Sequence, residues 1–321
     1  MTIDLKPLSN TSKLLFDVEL APLQGNTFQP TGFPDLGAAT YESKEGTCLL
    51  VESAQSMANR MEAVCWDEGK QDLVEDLRGL SYVKVNDKKA TFLTSSVLEA
   101  HRLNSVYIEK SKRSGADFSK VLAEEISWVE SRPVNRRAFV DTVMKYDIGS
   151  LVHGVFLESI GGRLRLSRAL TAFIEADDVR VAASGGVKND NVRPSKDETS
   201  AGTAKEGFGN VPFHRDEFAA KGKIHLYANL DLAQIRGYGL DEAATRLLVL
   251  LSLYKLRALL DGNLRLRTRC DFRLVNEEVG ATKLDFMLPD LGSLAVAVRA
   301  SIGSCMKHFA EGGVTVVEFA G

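Results

Sequence analysis

Three arginines, Arg265, Arg267 and Arg269, stand at alternate positions in a run that otherwise holds mostly apolar and small residues. Alternate side chains of a β-strand point to the same face, so a strand here would carry a row of guanidinium groups opposite an apolar face. Like charges in such a row repel, and guanidinium groups bind phosphate through paired hydrogen bonds. The spacing therefore predicts a partner with repeated negative charge, either a phosphate chain or a row of carboxylates.

A second segment repeats this pattern. Arg163 and Arg165 alternate with leucines, and Arg168 follows closely. A helix predicted over residues 53–66 would turn small polar residues away from the core, where a phosphate could approach closely. Residues 184–188 contain the glycines of a phosphate loop but lack the Walker spacing. Basic residues in two segments favour phosphate recognition, and pairing of the arginine strand with carboxylates stays open.

The sequence carries no pattern typical of a catalytic or metal site. It lacks paired carboxylates, a nucleophile elbow, Walker or dinucleotide glycine motifs and histidines at ligand spacing. Its four cysteines lie far apart without a C-x-x-C pair, which argues against a disulfide framework and a thiolate metal site. We therefore predict a protein that is not an enzyme and that uses no metal or cofactor.

Length and composition are those of a globular protein. The 321 residues, 44% of them hydrophobic and 26% charged, can bury one large core or two modest ones. The first residues have neither a basic start nor an apolar stretch, and the most apolar run, at residues 247–253, is too short to span a bilayer. These features predict a cytoplasmic protein without membrane contact.

Charge is distributed unevenly along the chain. The net charge of −3 argues against a protein that coats nucleic acid nonspecifically, because such domains are usually basic. Residues 244–273 nevertheless hold seven Lys or Arg against two Asp. A basic segment in an acidic chain is typical of a directional binding face.

The apolar patterns predict an α+β chain with two insertions. Besides the arginine strand, strands are predicted over residues 14–20, 47–51, 224–232, 282–288 and 314–319. Helices are predicted over residues 53–66, 241–262 and 290–309. Residues 79–146 are predicted to be mostly helical, and residues 189–205 have the composition of a mobile excursion that leads to an apolar tip at 207–215. The repeated order strand, helix, strand favours a ferredoxin-like core, the topology of RNA-recognition domains.

Four longer motifs resemble a known family. The runs at residues 28–39, 50–60, 98–105 and 229–239 closely resemble the CRISPR-associated Cascade backbone subunit of type I-G systems, formerly called type I-U. The likeness extends over nearly the whole chain, with the motifs in the same order. The chain therefore resembles the Cas-seven family of the RAMP superfamily.

This resemblance implies a fold and a set of partners. It implies one RAMP-type domain over residues 1–321, with a ferredoxin-like palm, a helical fingers insertion at 79–146 and a flexible thumb arm at 189–223. The palm would comprise residues 14–78, 147–188 and 224–321. Such a subunit polymerises along the guide RNA (crRNA) as a helical filament and presents it for pairing with target DNA in antiviral defence. The other implied partners are the large subunit, the repeat-processing subunit and a recruited helicase-nuclease.

The resemblance also assigns roles to residues. RNA contacts are expected on the first helix and its surroundings, from Ser53, Gln55, Ser56, Asn59, Arg60, Arg102, Arg163, Arg165, Arg168 and Lys188. Arg265, Arg267 and Arg269 join this set from the strand pattern alone. Phe208, Val211 and Phe213 would form the thumb wedge that displaces a nucleotide. The guide supplies sequence specificity by base pairing, so contacts to phosphate and sugar suffice.

Two other functions stay open. Related backbone subunits of type III effectors cut target RNA with a loop aspartate, and Asp35 occupies a loop here, so an RNA endonuclease is the first alternative. Asp35 lies between Pro34 and Leu36, a setting equally suited to a structural turn. The second alternative is a purely structural assembly protein, which would be favoured if the arginine faces were paired with carboxylates.

Overall fold

A seven-stranded sheet and a five-stranded sheet organise the chain in the computed structural model, which describes residues 3–33, 37–44, 46–191, 203–262, 264–310 and 312–319. The strands in this part of the chain are β1 (Lys13–Pro22), β2 (Gly32–Phe33), β3 (Gly37–Ala38), β4 (Thr40–Ser43), β5 (Gly46–Glu52), β6 (Trp66–Asp67), β7 (Asp72–Leu73), β8 (Tyr82–Asn86), β9 (Phe92–Ser95), β10 (Ser111–Arg113), β11 (Ala116–Asp117), β12 (Val155–Leu157), β13 (Leu164–Leu166), β14 (Leu170–Ala176), β15 (Val179–Lys188), β16 (Val211–Ala220), β17 (Ile224–Asp231), β18 (Arg265–Arg267), β19 (Cys270–Leu274) and β20 (Val314–Phe319). The α-helices are α1 (Ala54–Ala63), α2 (Val106–Glu109), α3 (Phe118–Glu125), α4 (Arg136–Tyr146), α5 (Ile148–His153), α6 (Leu232–Gly237), α7 (Glu242–Gly262) and α8 (Leu291–Cys305). The α+β class predicted from the sequence is confirmed.

The large sheet is antiparallel throughout and has the strand order β18-β19-β1-β17-β14-β5-β4. Leu14, Phe16 and Val18 of β1 are buried, whereas the residues between them face outward, because side chains alternate across a strand. α1 packs against β14, and α7 packs against α1. Four neighbouring strands of this sheet stand in the order β19-β1-β17-β14. Along the chain they alternate with two helices as β1, α1, β14, β17, α7 and β19, which is a β-α-β-β-α-β succession.

The predicted helices begin where acidic or hydroxyl side chains can cap them. Ser53 caps α1, Asp241 accepts a hydrogen bond from the backbone N–H of Ala244 at the start of α7, and Asp290 caps α8 in the same way. α7 carries leucines on all its faces and is almost entirely buried. No helix in the described part of the chain is long and apolar enough to cross a membrane.

The five-stranded sheet corrects two predictions. Its order is β11-β10-β20-β8-β9, with β20 and β8 parallel and the other pairs antiparallel. Residues 79–146 are therefore not mostly helical, and the predicted final strand of the palm, β20, joins this second sheet instead. Tyr82, Val83 and Val85 are all buried on β8, and periodicity cannot distinguish such a short apolar run from a buried helix segment.

The strand predicted over residues 282–288 is not present. This segment makes only isolated bridges, Phe16 to Ala281 and Gly280 to Met287. Lys283 has a φ of 62°, a left-handed conformation that interrupts an extended strand. The prediction was wrong because alternation of apolar residues does not reveal a turn without glycine or proline.

A long two-stranded hairpin, β15–β16, projects from the large sheet. Its register runs from Val179 opposite Ala220 to Lys188 opposite Val211. Residues 184–188, whose glycines resemble those of a phosphate loop, lie within β15 and form no loop. The hairpin begins ten residues before the predicted thumb arm, whose residues 192–202 lie outside the described part of the chain.

Candidate nucleic-acid interface

The exposed face of α1 brings several of the predicted RNA-contacting residues together. Ser53 caps the helix, its Oγ accepting a hydrogen bond from the backbone N–H of Ser56 at 3.3 Å. Met57 and Met61 turn into the core with no exposed surface, because they lie on the opposite face. Gln55 and Asn59 are exposed one turn apart, and the Gln55 amide donates to Asn59 Oδ1 at 3.4 Å. α1 therefore offers hydrogen-bonding groups along its open side.

Arginines from the β12–β13 hairpin and the segment after it adjoin the first turn of α1. Arg168 donates a hydrogen bond from Nη2 to Gln55 Oε1. Arg165 is exposed on β13, and its guanidinium lies 4.4 Å from the centre of the Phe156 ring. Arg165 and Arg168 thus extend the face of α1 with positive charge.

Arginines of the β18–β19 hairpin adjoin the other end of the helix. Arg60 donates from Nη2 to the carbonyl oxygen of Leu266 at 2.6 Å and contacts Glu52 Oε2 at 3.1 Å. Arg267 contacts the same Glu52 oxygen at 2.9 Å. One buried carboxylate therefore holds two guanidinium groups, and this trio retains a positive charge.

The run at residues 264–272 is a hairpin and not the single strand predicted. β18 ends at Arg267, and Arg269 occupies the turn with a φ of 61° before β19 begins. Chain reversal removes the row of guanidinium groups on one sheet face. The hairpin instead brings Arg265, Arg267 and Arg269 around one small cavity of about 170 Å³, the arginine pocket, which Thr27 and Asp271 also line.

Arg269 joins the arginine pocket to the β15–β16 hairpin. Its Nη2 and Nε atoms lie 2.9 and 3.2 Å from the two carboxylate oxygens of Glu217 on β16. The hydroxyls of Thr27 and Ser184 also donate to Glu217, at 2.6 and 3.1 Å. Hydrogen bonds from Arg269 first, and then from Thr27, lower the pKa of Glu217 to about 2 against the desolvation that opposes them.

Glu217 makes the stability of the protein sensitive to acid. Its native pKa is lowered from 4.5 to about 2, so the unfolded chain binds more protons between those values. This contribution to the free energy of unfolding is therefore complete above about pH 4.5 and lost as the pH falls towards 2. We expect Glu217→Gln to flatten the pH dependence of urea unfolding in that window. Asp216→Asn, on the same strand, is the control, and a Glu217→Gln profile identical to wild type would contradict the prediction.

These contacts form one continuous surface, which we call the arginine track. It runs from the β12–β13 hairpin over α1 to the arginine pocket, through Arg165, Arg168, Gln55, Asn59, Arg60, Arg265, Arg267 and Arg269. From Arg60 to the arginine pocket, four arginines meet three carboxylates, those of Glu52, Glu217 and Asp271, so this part of the track keeps a net positive charge. A spaced line of guanidinium groups beside hydrogen-bonding amides suits the backbone of a nucleic acid.

Arg102, another of the predicted RNA-contacting residues, is buried. Only 3% of it is exposed, and its Nη2 and Nε atoms lie 2.6 and 3.0 Å from the two carboxylate oxygens of buried Glu62. Unlike Arg269, whose side chain is 49% exposed, the Arg102 side chain is only 4% exposed and has almost no surface open to a phosphate in solvent. Arg102 therefore holds its own segment, residues 102–104, against Glu62 of α1 and does not belong to the track.

Arg163 and Lys188 lie away from the track. Arg163 is exposed, lies 5.0 Å from the centre of the Trp128 ring, and donates to the Glu130 carbonyl oxygen at 2.5 Å. Lys188 lies at the far end of β15, 3.3 Å from Asp190 and 6.0 Å from the centre of the Phe208 ring. Their predicted RNA contacts would thus be separate from those of α1.

The end of the β15–β16 hairpin exposes apolar side chains. The exposed fractions of Phe208, Val211 and Phe213 are 37%, 41% and 46%. Arg215 lies 5.2 Å from the centre of the Phe213 ring, which adds a cation to the apolar surface. The three residues predicted as a wedge are therefore free to meet a partner at the hairpin's end.

The outward face of the large sheet is acidic. Asp17, Glu19 and Glu175 lie on it, with His225 opposite Glu19 and hydrogen-bonded to Asp17. Lys223 contacts Glu19 at 2.6 Å and Lys13 lies on the same side of β1, so carboxylates exceed cations here by a small margin and this face attracts phosphate less than the arginine track does.

The sequence patterns missed the carboxylates that organise the track. Glu52 and Glu217 are both at least nine-tenths buried on strands, and a buried carboxylate requires a cationic partner. The sequence carries one signal of this pairing. Glu52 directly follows the apolar run of β5, so it is expected to be buried and to need a cationic partner. No pattern in the sequence indicates that the Arg165 guanidinium lies over the Phe156 ring.

Metal-ligating side chains in the described part of the chain form no group of three or more His, Cys, Asp or Glu that is arranged to hold a metal ion. Asp35, the candidate of the endonuclease alternative, lies outside the described residues.

Comparison with known proteins places the chain in a family. A family model described as CRISPR-associated protein GSU0053 matches residues 14–181. No curated protein matches the chain. Among solved structures, it is similar to a chain from a structure described as a CRISPR RNA-guided surveillance complex, pre-nicking, at 13% identity and a TM-score of 0.39, covering 84% of this chain and 77% of that one. It is also similar to Csc2 of Thermofilum pendens, at 12% identity and a TM-score of 0.30, covering 96% of this chain and 79% of that one.

TM-scores this low carry no argument about fold or function, so the family assignment depends on the sequence match. That match confirms the CRISPR association that the sequence motifs predict, while the I-G subtype stays a prediction. Because the match extends over more than half of its residues, the chain belongs to the family of CRISPR-associated protein GSU0053.

Proposed function

We propose that this protein is a guide-RNA-binding backbone subunit of a type I-G Cascade effector, a binding protein and not an enzyme. It polymerises along crRNA and presents the guide for base pairing with target DNA in antiviral defence. The observation that carries the proposal is the arginine track, a continuous basic surface in a chain of a CRISPR-associated family. Its chemistry suits a single strand held by phosphate and sugar, which leaves the bases free to pair.

The fold supports the palm of this proposal. The four central strands stand in the order β19-β1-β17-β14 and are joined by α1 and α7, as in a ferredoxin-like domain. Ferredoxin-like RNA-recognition domains usually present their sheet face to RNA. Here that face is acidic, so the helix side takes the guide instead, and the β15–β16 hairpin serves as the thumb.

The proposed partners are those that the family resemblance implies. Each copy contacts crRNA along the track and other copies through its remaining surfaces, so the acidic net charge is compatible with RNA binding. The large subunit, the repeat-processing subunit and a helicase-nuclease complete the proposed cytoplasmic effector. Head-to-tail contacts between identical subunits generate an open helical assembly if they do not close into a ring.

Assembly on RNA tests the function. We would titrate the purified protein with single-stranded RNAs of increasing length, and with DNAs of matched length, and measure particle mass by light scattering. The proposal predicts a particle mass that grows in steps with RNA length. One copy per RNA at every length would contradict polymerisation, and no binding would contradict the function as a whole.

The exposed end of the thumb is expected to act in assembly and not in folding. Phe208→Ser together with Phe213→Ser removes half-buried side chains that lie outside the main hydrophobic core, so the free energy of unfolding should fall by no more than about 2 kcal/mol and the chain should stay folded. RNA-dependent particles should become smaller, because an apolar wedge stacked on a base contributes about 1–3 kcal/mol. Val296→Ser, at a more exposed apolar position on α8, is the control. Unchanged particle mass would refute the thumb assignment.

A further inference from the structure

A cavity of about 660 Å³ opens beyond Arg168, at the end of the arginine track away from the arginine pocket. It lies between the start of α1, the β12–β13 hairpin and residues 99–109. Sites that hold small molecules have volumes of about 300–1,000 Å³. The cavity is therefore large enough for one nucleoside unit of a strand that follows the track.

The charges around the cavity balance. The ionisable groups that line it, apart from histidines, are Arg102, Arg165, Arg168, Glu99, Glu109 and Glu158. Arg102 and Glu99 are already engaged, the first by Glu62 and the second by the hydroxyls of Thr94 and Ser105. A balanced lining favours a neutral ligand with both donors and acceptors over a bare phosphate.

One wall of the cavity offers a flat stacking surface. The Arg165 guanidinium lies over the Phe156 ring, and both residues line the cavity. Unpaired bases in RNA complexes stack on aromatic rings and on arginine planes. The wall therefore matches the face of a nucleobase.

His153 provides an independent sign of a ligand. It lines the cavity and is 1% exposed, and neither ring nitrogen has a partner at good hydrogen-bond geometry in the described part of the chain, the Leu170 backbone making only a weak contact with the ring. Burial, followed by the positive charges of Lys255, Arg102 and Arg168, holds its pKa well below the usual range, although the nearby Leu170 backbone opposes this. The neutral ring has one donor and one acceptor. An unpaired buried polar group is unfavourable, and a polar ligand in the cavity would relieve it.

We propose that this cavity receives one nucleoside unit of the bound RNA. The base stacks on Arg165 over Phe156, and its polar edge meets Glu109, Glu158 and His153. Arg168 holds the adjoining phosphate at the mouth of the cavity. The inference rests on the proposed function, because the strand must follow the track to reach the cavity.

The test compares two strands with equal numbers of phosphates. Oligouridylate and a strand of abasic tetrahydrofuran phosphates of the same length would be titrated into the full chain, and Kd measured by fluorescence anisotropy. Wild type should bind oligouridylate about tenfold or more tightly than the abasic strand. Ala100→Trp fills the cavity from an exposed lining position and should remove this preference while keeping the affinity for the abasic strand.

Two further variants complete the comparison. His153→Gln keeps one hydrogen-bond donor and one acceptor but places them at a different distance from the backbone. It should therefore reduce, without removing, the preference for oligouridylate over the abasic strand. Leu98→Trp adds the same bulk two residues from Ala100 but outside the cavity lining, and should retain the preference. A wild type without preference, or a preference that survives Ala100→Trp, would overturn the inference and leave the proposed function intact. Failure of both strands to bind would refute the two together.

Discussion

Replacing Arg265, Arg267 and Arg269 together with alanine should weaken single-stranded RNA binding by about 1,000-fold or more near physiological salt, since each of three charge-assisted hydrogen bonds contributes about 1.5 kcal/mol or more. The three side chains surround the arginine pocket, so one phosphate group can meet several of them at once. Each neutralised phosphate contributes roughly 0.7 to the slope of log affinity against log salt, so the slope should fall by about 2. Anisotropy titrations at several salt concentrations would measure both quantities.

The control for this variant removes the same charge elsewhere. Arg78, Lys120 and Arg299 are exposed and each contacts a carboxylate, although these carboxylates are more exposed than the Glu52 and Glu217 partners of Arg267 and Arg269. Their joint replacement with alanine changes net charge equally and should leave the slope within a fraction of a unit of wild type. If the two triple variants lowered the slope by the same amount, the pocket would be contributing only nonspecific charge. An unchanged slope in the arginine-pocket variant would remove the β18–β19 hairpin from the interface.

Arg102→Met is expected to destabilise the fold by about 3–5 kcal/mol, because it leaves the Glu62 carboxylate buried without its partner. Glu62 and Arg102 are each at least 97% buried, and two hydrogen bonds of 3.0 Å or less join them. Urea unfolding would measure the loss. Arg163→Met, at an exposed arginine outside the track, should change the free energy of unfolding by less than about 0.5 kcal/mol.

A double-mutant cycle separates the ion pair from other effects of the substitution. Glu62→Met combined with Arg102→Met replaces the pair with apolar groups, and such replacements are often close to neutral. The double variant should therefore recover most of the stability that Arg102→Met loses. Normal stability of Arg102→Met with lost RNA affinity would return Arg102 to the RNA-contacting set.

Elements with strong local signals could be predicted from the sequence. α7 has the predicted end at Gly262, and β20 has the predicted bounds, because a long apolar helix and an alternating strand each leave a clear period. The exposed face of α1 was also predictable, since a helix with Met57 and Met61 on one side must turn Gln55 and Asn59 to the other.

Contacts between distant segments could not be predicted. β8 and β20 pair in parallel although more than two hundred residues separate them, and no local pattern records that pairing. The period-2 alternation of the arginines continues through the turn at Arg269, which lacks glycine and proline. Burial of Arg102 depends on Glu62, forty residues earlier in the chain, so its basic character suggested a surface role that the packing excludes.

The hairpin nevertheless serves the function that its sequence suggested. Reversal of the chain between β18 and β19 gathers the three arginines at one cavity, where a straight strand would have spaced them along a sheet edge. Pairing with carboxylates, the alternative to a polyanion, also occurs: Arg267 meets Glu52 and Arg269 meets Glu217. These carboxylates orient the guanidinium groups and still leave the track a net positive charge.

The most direct test of RNA binding is to express the chain alone, purify it at moderate salt, and treat the product separately with RNase and DNase while following its size on a column. The account predicts large particles that collapse with RNase and withstand DNase. A clean monomer that carries no RNA and also fails to bind added RNA would contradict it, and would favour an assembly protein without a nucleic-acid contact.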